Sequence, residues 1–213
     1  MSDGDLRARL VATARRMNAL GINQGSSGNV SARVEGGFLV TPSGLPYEDL
    51  ADADLVHVAM DGHATGHRAP SSEWRFHRDI YATRPEAGAV VHTHSAFATT
   101  LACLGRPIPA FHYEVAFAGG KDIRCAPYRS FGTQELSDVA LSALEGRRAC
   151  LLAHHGVIAF GPDLDDALRL ADKVEAMARL YWQALQLGEP AILDDDEMAR
   201  IVERFRHYGP RNG

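Results

Sequence analysis

The fold is decided by the stretch Gly88–His94, which reads GAVVHTH. Four small or apolar residues lead directly into a histidine, and such a run predicts a buried strand that ends in polar side chains. Alternate residues of a strand point to the same face of the sheet, so His92 and His94 are expected side by side. Histidines at a strand end can also simply bond backbone groups, so a second signal is needed before a site is inferred.

A second apolar run, Cys150–Ala153, also leads into a histidine pair, His154 and His155. One imidazole from this strand would complete a three-nitrogen site of the kind that zinc takes, with a fourth position for water, substrate or a displaceable carboxylate. Adjacent strand residues point to opposite faces, so only one of this pair can join His92 and His94. The spacing does not say which one.

Glu73 is the carboxylate that fits the fourth position. It follows Ser71 and Ser72 at the start of an expected helix, where one of these serines would be the N-cap. A carboxylate at a helix start is also favourable for the helix dipole alone. With three imidazoles nearby, we expect an acid or base whose pKa is tuned by a metal and by burial.

Three short segments rich in serine, glycine and asparagine lie at predicted turns, at 26–29, 43–44 and 71–72. Each one alone is typical of an ordinary turn. Together, their backbone N–H groups, hydroxyls and a helix N-terminus could bind a phosphate without lysine or arginine.

Hydrophobic periodicity predicts strands alternating with helices. Helices are expected at 5–20, 72–83, 96–104, 133–144, 164–187 and 195–205. Strands are expected at 30–33, 38–40, 54–60, 87–94, 150–154 and 156–160, with a turn region at 61–70 and irregular or extended stretches at 108–118 and 122–128. This order predicts a single-domain α/β/α sandwich, with a central mixed, largely antiparallel sheet covered by helices on both faces.

The composition fits one globular domain over residues 1–213, with 46% hydrophobic and 23% charged residues. The net charge is −5 and the basic residues are scattered, so we expect no nucleic-acid partner. No apolar run approaches the ~20 residues of a membrane span, and the acidic start is unlike a secretory signal. A cytoplasmic location is therefore expected, with buried reduced thiols at Cys103, Cys125 and Cys150. The other histidines are expected on the surface or in packing contacts: His57, His63, His67, His77, His112 and His207.

These segments, in this order, resemble the class II aldolase/adducin family. The matched stretches run through essentially the whole chain: 25–33, 41–47, 70–77, 90–95, 113–114, 131–133 and 153–160. The resemblance implies that His92, His94 and His155 bind a catalytic metal. It also implies that Glu73 binds the resting metal and then acts as acid and base. Related 4-epimerases carry aspartate after the paired serines and adducin-like modules lack the metal histidines, so the resemblance is to the aldolase branch.

The resemblance extends to the substrate and to the assembly. It implies a phosphate pocket formed by Gly28, Asn29, Ser43, Gly44, Ser71 and Ser72. Tyr113 matches a tyrosine that is donated across a subunit interface of a homotetramer. Tyr208 matches a tail tyrosine near the active site.

The implied function is metal-dependent, reversible cleavage of a ketose 1-phosphate, such as L-fuculose 1-phosphate, to dihydroxyacetone phosphate and a short aldehyde. In the alternative, the same chemistry acts on 5-deoxyribulose 1-phosphate or 5-methylthioribulose 1-phosphate in salvage. The fold also supports L-ribulose-5-phosphate 4-epimerisation or a non-catalytic, adducin-like module. The expected cofactor is Zn²⁺, and Mn²⁺ or Co²⁺ would suit the same ligands.

Overall fold

One eight-stranded sheet organises the part of the chain that the computed structural model describes, residues 2–206. Its strands are β1 (Asn29–Val34), β2 (Gly37–Val40), β3 (Val56–Ala59), β4 (Ala64–Thr65), β5 (Ala89–Thr93), β6 (Cys125–Ala126), β7 (Ala149–Leu152) and β8 (Gly156–Gly161). The spatial order is β4-β3-β2-β1-β5-β8-β7-β6. Neighbouring strands are antiparallel except β6 and β7, which are parallel, so the predicted mixed, largely antiparallel sheet is confirmed.

Six α-helices within residues 2–206 cover the two faces of this sheet. They are α1 (Asp3–Ala19), α2 (Trp74–Thr83), α3 (Ala96–Cys103), α4 (Gln134–Ala143), α5 (Leu164–Leu187) and α6 (Asp195–Arg206). Helices α2 and α4 pack on one face, and α1, α3 and α5 pack on the other. Helix α6 packs beside a 3-10 helix at Tyr113–Ala118. The α/β/α sandwich predicted from the sequence is therefore confirmed.

Strand β5 lies at the centre of the sheet because both of its faces are apolar. Val90 packs in the core beneath α2 and α4, whereas Ala89 and Val91 pack in the core beneath α1, α3 and α5. All three side chains are fully buried, and burying a valine fully contributes roughly 1.5–3 kcal/mol. A strand buried on both faces reads as a continuous apolar run, which is why GAVV precedes the histidines.

The register of β5 brings polar groups to one edge of the sheet. Asn29 on β1 pairs with His92, and Val157 on β8 pairs with Thr93. The end of β5 therefore lies between the start of β1 and the start of β8. Any side chain placed at these three positions is close to the others.

The start of α2 differs from the prediction. The N-cap is Glu73 itself, and neither preceding serine caps the helix; instead Glu73 N donates to Ser71 Oγ at 3.3 Å. The prediction of a serine N-cap is thus wrong. The Glu73 carboxylate instead faces the sheet, where it contacts Asn29 and His92. Two smaller differences are β4 inside the predicted turn region and the 3-10 helix inside the stretch expected to be irregular or extended.

Predictions about the chain as a whole have mixed outcomes. The three cysteines are free, but Cys103 is exposed and Cys125 half-buried, so the expectation of buried thiols holds only for Cys150. Among residues 2–206, no helix has both the length and the apolar character needed to cross a membrane. The single-domain boundary at 1–213 stays a prediction.

Candidate metal centre

Four side chains converge where β5 ends and β8 begins. Glu73, His92, His94 and His155 each offer one ligand atom, and these atoms all lie within 4.8 Å of one another. His92 Nε2 is 3.0 Å from His94 Nε2 and 3.1 Å from Glu73 Oε2, and His155 Nε2 is 3.2 Å from Glu73 Oε1. Ligand atoms at the usual zinc distances are separated by about 3.3 Å in a tetrahedral site, so these spacings suit a small cation.

A tight turn between β7 and β8 decides which histidine of the 154–155 pair joins the cluster. His154 has a left-handed backbone with φ +56°, and its ring packs edge-on against Tyr128. His155 is thereby directed toward Glu73. Gly156 then lets β8 approach β5, because a Cβ at this position would lie 2.3 Å from the carbonyl oxygen of Thr93.

His92 is held with its Nε2 toward the cluster. Its Nδ1 lies 2.8 Å from the carbonyl oxygen of Val157, an acceptor, so Nδ1 carries the proton of the neutral ring. Nε2 then presents a lone pair to Glu73 Oε2, 3.1 Å away. Two acceptors at this distance repel each other unless a proton or a metal cation lies between them. This backbone-oriented imidazole is the arrangement usual for histidine ligands of metals.

Glu73 is a buried carboxylate with two unequal oxygens. Its Oε2 accepts a hydrogen bond from Asn29 Nδ2 at 3.1 Å. Its Oε1 lies near His155 Nε2, but without hydrogen-bond geometry, and has no hydrogen-bond partner among residues 2–206. Burial by itself raises the pKa of Glu73, but the neighbouring imidazoles of His92 and His155 outweigh it and bring the pKa below its ordinary value. The unpartnered oxygen is a further feature that fits a bound cation.

His94 completes the set as a neutral ligand. Burial, and then the neighbouring His92 and His155, lower the pKa of His94 to about 3. A metal takes the neutral imidazole, so this environment favours the ligand form. Three neutral imidazoles and one carboxylate suit Zn²⁺ and also accept other divalent first-row metals.

A cavity of about 340 Å³ opens beside this cluster and provides room for a small substrate. It is lined by Ser27, Ser72, Glu73, His94, Tyr128, Arg129, Phe131, His154 and His155. The sequence analysis assigned no role to the aromatic pair or to the arginine, which come from the loop at 127–132. The sequence analysis matched 131–133 to the family, but no local pattern in the sequence places this loop beside the cluster.

The six residues expected to hold a phosphate have different surroundings in the structure. Ser72 is exposed and lines the cavity, whereas Ser71 is buried and accepts from Glu73 N. Ser43 and Gly44 are exposed on a neighbouring loop, where Ser43 N donates to the carbonyl of Ala69 at 3.2 Å.

The remaining two, Gly28 and Asn29, are buried beside the end of β5. The carbonyl of Gly28 accepts from the Tyr47 hydroxyl at 2.5 Å. The Asn29 side chain is committed to Glu73 on one side and to His77 on the other.

Tyr113, one of the two tyrosines implied by the resemblance, is not among the described residues that line this cavity. Tyr113 is 48% exposed and stacks on Phe205, with ring centroids 6.2 Å apart. Tyr208 lies outside the described residues. A role for Tyr113 therefore requires a second copy of the chain.

A larger cavity of about 620 Å³ lies near Arg84, Arg147 and Arg148, and the ligand cluster found among residues 2–206 does not line it. Its arginines are already paired with carboxylates: Arg84 with Glu86, Arg147 with Asp122, and Arg148 with Asp166. We therefore assign the chemistry to the smaller cavity.

Comparison with known proteins agrees with this geometry. The family described as "Class II Aldolase and Adducin N-terminal domain" matches residues 8–182. The chain belongs to the class II aldolase/adducin family. The resemblance inferred from the sequence is thereby confirmed.

Curated relatives of the chain are named as aldolases. The chain is similar to the 5-methylthioribulose-1-phosphate/5-deoxyribulose-1-phosphate aldolase of Rhodospirillum rubrum, 57% identical over 96% of this chain and 92% of that protein. It is 46% identical to the L-fuculose phosphate aldolase of Escherichia coli K12, over 99% of each chain. Among solved structures, an L-fuculose 1-phosphate aldolase superposes with a TM-score of 0.93 at 38% identity, covering 97% of this chain and 98% of that one.

These relatives confirm the predicted enzyme class. The chain is a class II aldolase, an aldehyde-lyase, and its substrate class is a phosphorylated sugar.

Proposed function

We propose that this protein reversibly cleaves a ketose 1-phosphate with a short apolar tail, 5-methylthioribulose 1-phosphate or 5-deoxyribulose 1-phosphate, to dihydroxyacetone phosphate and an aldehyde. The observation that carries the proposal is the convergence of three imidazoles and Glu73 within 4.8 Å beside an open cavity. The choice among ketose 1-phosphates is supported by the Rhodospirillum relative. It is also supported by Tyr128 and Phe131 at the cavity, whose exposed rings suit a methyl or methylthio group.

The residues proposed to hold the metal are Glu73, His92, His94 and His155, with zinc as the resident ion and Mn²⁺ or Co²⁺ as alternatives. Such an ion, when bound, polarises the substrate oxygens and stabilises the negative charge that develops on them. The fit is supported by the lone pair of His92 Nε2 facing Glu73 Oε2 and by the unpartnered Glu73 Oε1.

In the cleavage direction, the bond between C3 and C4 of the substrate breaks. The C4 hydroxyl loses its proton as its oxygen becomes the aldehyde carbonyl, and C3 gains a proton to complete dihydroxyacetone phosphate. We assign the C3 proton to Glu73, whose Oε1 has no competing hydrogen bond among residues 2–206. We assign the C4 hydroxyl proton to Tyr113 of a neighbouring copy.

The substrate phosphate is proposed to bind to Gly28, Asn29, Ser43, Gly44, Ser71 and Ser72. Neutral hydroxyls and backbone N–H groups at the start of α2 would hold it, since a helix N-terminus favours an anion. Arg129 at the cavity adds a positive charge that the sequence analysis did not assign.

A homotetramer with active sites at subunit interfaces is proposed because Tyr113 is half-exposed and does not line the cavity of its own chain. Tyr208 would approach the site from the tail in the same assembly. A cytoplasmic location is proposed because the three cysteines are free, which suits a reducing compartment.

L-fuculose 1-phosphate is the second candidate substrate, supported by the Escherichia coli relatives at 46% identity. Its aldehyde product carries a hydroxyl, so it would need a polar partner where the deoxy and methylthio substrates need an apolar one. The two kinds of substrate differ in their aldehyde portion, which would occupy the same part of the cavity. Their kcat/KM values can therefore be compared directly.

The test is release of dihydroxyacetone phosphate from four ketose 1-phosphates, with and without chelator: 5-methylthioribulose, 5-deoxyribulose, L-fuculose and L-ribulose 1-phosphate. We expect chelator-sensitive release, with the highest kcat/KM for the first two. A higher kcat/KM for L-fuculose 1-phosphate would overturn the substrate choice. No release from any of them by metal-loaded protein would overturn the function, and L-ribulose 5-phosphate epimerisation would be measured next.

A further inference from the structure

A line of buried polar side chains runs inward from Glu73. Helix α2 contributes residues at four-residue intervals, Glu73, His77 and Tyr81, which lie on one face of the helix. Strand β1 contributes alternate residues, Asn29 and Ser31, which point to one face of the sheet. All five side chains are at least 95% buried.

These side chains alternate along one continuous chain of contacts. Glu73 Oε2 is 3.1 Å from Asn29 Nδ2, and Asn29 Oδ1 is 2.5 Å from His77 Nε2. His77 Nδ1 is 2.7 Å from Ser31 Oγ, which is 2.7 Å from the Tyr81 hydroxyl. This series of hydrogen bonds therefore joins Glu73 to Tyr81, two helical turns away along α2.

The charge of the carboxylate fixes the direction of every hydrogen bond in this chain. An ionised carboxylate only accepts, so Asn29 must donate through its Nδ2 and accept through its Oδ1. His77 must then carry a proton on Nε2 to donate to that oxygen. In the neutral ring Nδ1 is an acceptor, so Ser31 donates to it and Tyr81 donates to Ser31.

The surroundings of His77 agree with the neutral ring. Burial, and then the neighbouring His92, lower the pKa of His77 to about 3, although Glu73 opposes this shift. His77 also lies between the rings of Phe76 and Phe38 in the core beneath α2. The sequence analysis placed it among surface or packing residues, and its polar partners were missed.

We propose that His77 is a positioning residue that fixes the amide of Asn29, so that Asn29 Nδ2 faces Glu73 Oε2 and the carboxylate is held in one orientation. This inference rests on the proposed aldol function of Glu73. Asn29 Nδ2 donates to Oε2, so the orientation of this amide sets where that carboxylate oxygen lies. Without His77, the Asn29 amide could rotate and present its oxygen to the carboxylate, which would leave two acceptors in contact.

The first test is the protonation of His77 in the full chain loaded with Zn²⁺. Long-range ¹H–¹⁵N spectra of histidine-labelled protein distinguish the ring nitrogens, and the His77→Gln variant identifies the signal. We expect a proton on Nε2 of His77. A bare Nε2 would overturn the proposal, and this readout does not depend on turnover.

The second test compares three variants by kcat and KM for the substrate preferred by the wild type. His77→Leu fills the volume without a donor, and we expect kcat to fall about 10–100-fold, as for other orienting partners of a metal site, with KM little changed. His77→Gln can place its amide nitrogen near the position of the ring Nε2 and donate to Asn29 Oδ1, so it should recover most of the loss.

Tyr81→Phe is the matched control for lost buried polarity. It removes the hydroxyl that donates to Ser31, the last hydrogen bond of the series, but leaves Ser31 free to donate to His77. We therefore expect kcat to stay near that of the wild type. Equal losses of kcat in His77→Leu and Tyr81→Phe, or no loss in His77→Leu, would overturn the proposal. Failure of the aldolase function itself would appear separately, as no product from the wild-type protein.

Discussion

The assignment of His155, and not His154, to the metal can be tested with two adjacent and matched substitutions. We consider His154→Asn and His155→Asn, because asparagine tolerates the left-handed backbone at position 154. At position 155 its amide ends near the place of the imidazole Nδ1. It therefore does not reach the Nε2 position, which lies 3.2 Å from Glu73 Oε1.

The size of the effect follows from linkage between metal binding and folding. Free metal at about a thousand times Kd stabilises a protein by about 4.1 kcal/mol, and at about ten times Kd by about 1.4 kcal/mol. Loss of an orienting partner alone weakens metal binding about 10–100-fold, so loss of a ligand should cost at least about 100-fold. His155→Asn should therefore lose about 2.7 kcal/mol of metal-induced stabilisation, which for a chain of this size lowers the metal-induced rise in Tm by about 5–11 °C.

The assay is thermal unfolding with and without chelator, at one protein concentration and at a free Zn²⁺ concentration about a thousand times the wild-type Kd. The difference between the two curves removes any effect of the substitution on the metal-free protein. The His154→Asn variant should keep the wild-type difference. A full metal-induced shift in His155→Asn, or its loss in His154→Asn, would refute the assignment.

Three further predictions follow from the site and its supports. Glu73→Gln should lower kcat about 10²–10⁴-fold, the usual contribution of a general acid or base, while keeping a chelator-sensitive Tm; near-normal turnover would exclude the assigned role. Gly28→Ala should lower Tm because its Cβ would lie 2.4 Å from the His92 carbonyl and 2.6 Å from Asn23 Oδ1. Gly4→Ala, whose Cβ meets nothing closer than 4.0 Å, is its control, and equal Tm values would contradict this packing. Burial raises the pKa of Asp79, but donors from Arg78, Ser137 and Gln134 outweigh it and lower the pKa overall. Because the folded pKa is the lower one, Asp79→Asn should destabilise the protein above the ordinary carboxyl pKa of about 3.9, and the difference should shrink as pH falls below it. Urea unfolding at several pH values measures this, and a pH-independent difference would count against it.

Much of the fold follows from the sequence because local and global signals agree. The run GAVV predicts a strand buried on both faces, and β5 is that strand. The long periodic pattern at 164–187 predicts a helix, and α5 spans Leu164–Leu187. In both segments the spacing of apolar residues matches the face or faces that are buried.

The parts that were missed depend on contacts between distant segments. Serine is preferred over glutamate as an N-cap, yet Glu73 takes that position because Asn29 on β1 and the histidines draw its carboxylate to the sheet. The choice between His154 and His155 depends on a turn with positive φ, because β7 ends at Leu152 and strand alternation does not reach either residue. The role of Tyr128 and Phe131 depends on where their loop lies, and no local pattern gives that.

The metal-free cluster should itself be a source of instability. Glu73 Oε1 is a buried oxygen without a hydrogen bond among residues 2–206, and such a group costs about 1–3 kcal/mol. His92 Nε2 lies 3.1 Å from Oε2, so a lone pair on this nitrogen would face the second carboxylate oxygen. A cation would relieve both defects together, so its binding free energy would also contribute to folding. The cluster residues come from the start of α2, the end of β5 and the turn before β8, and Asn29 on β1 donates to Glu73. The contribution should therefore connect four separate segments. Chelator should therefore lower the protection of Asn29, Glu73, His92 and His155 backbone amides together in hydrogen exchange, and a change confined to one segment would argue against a shared metal.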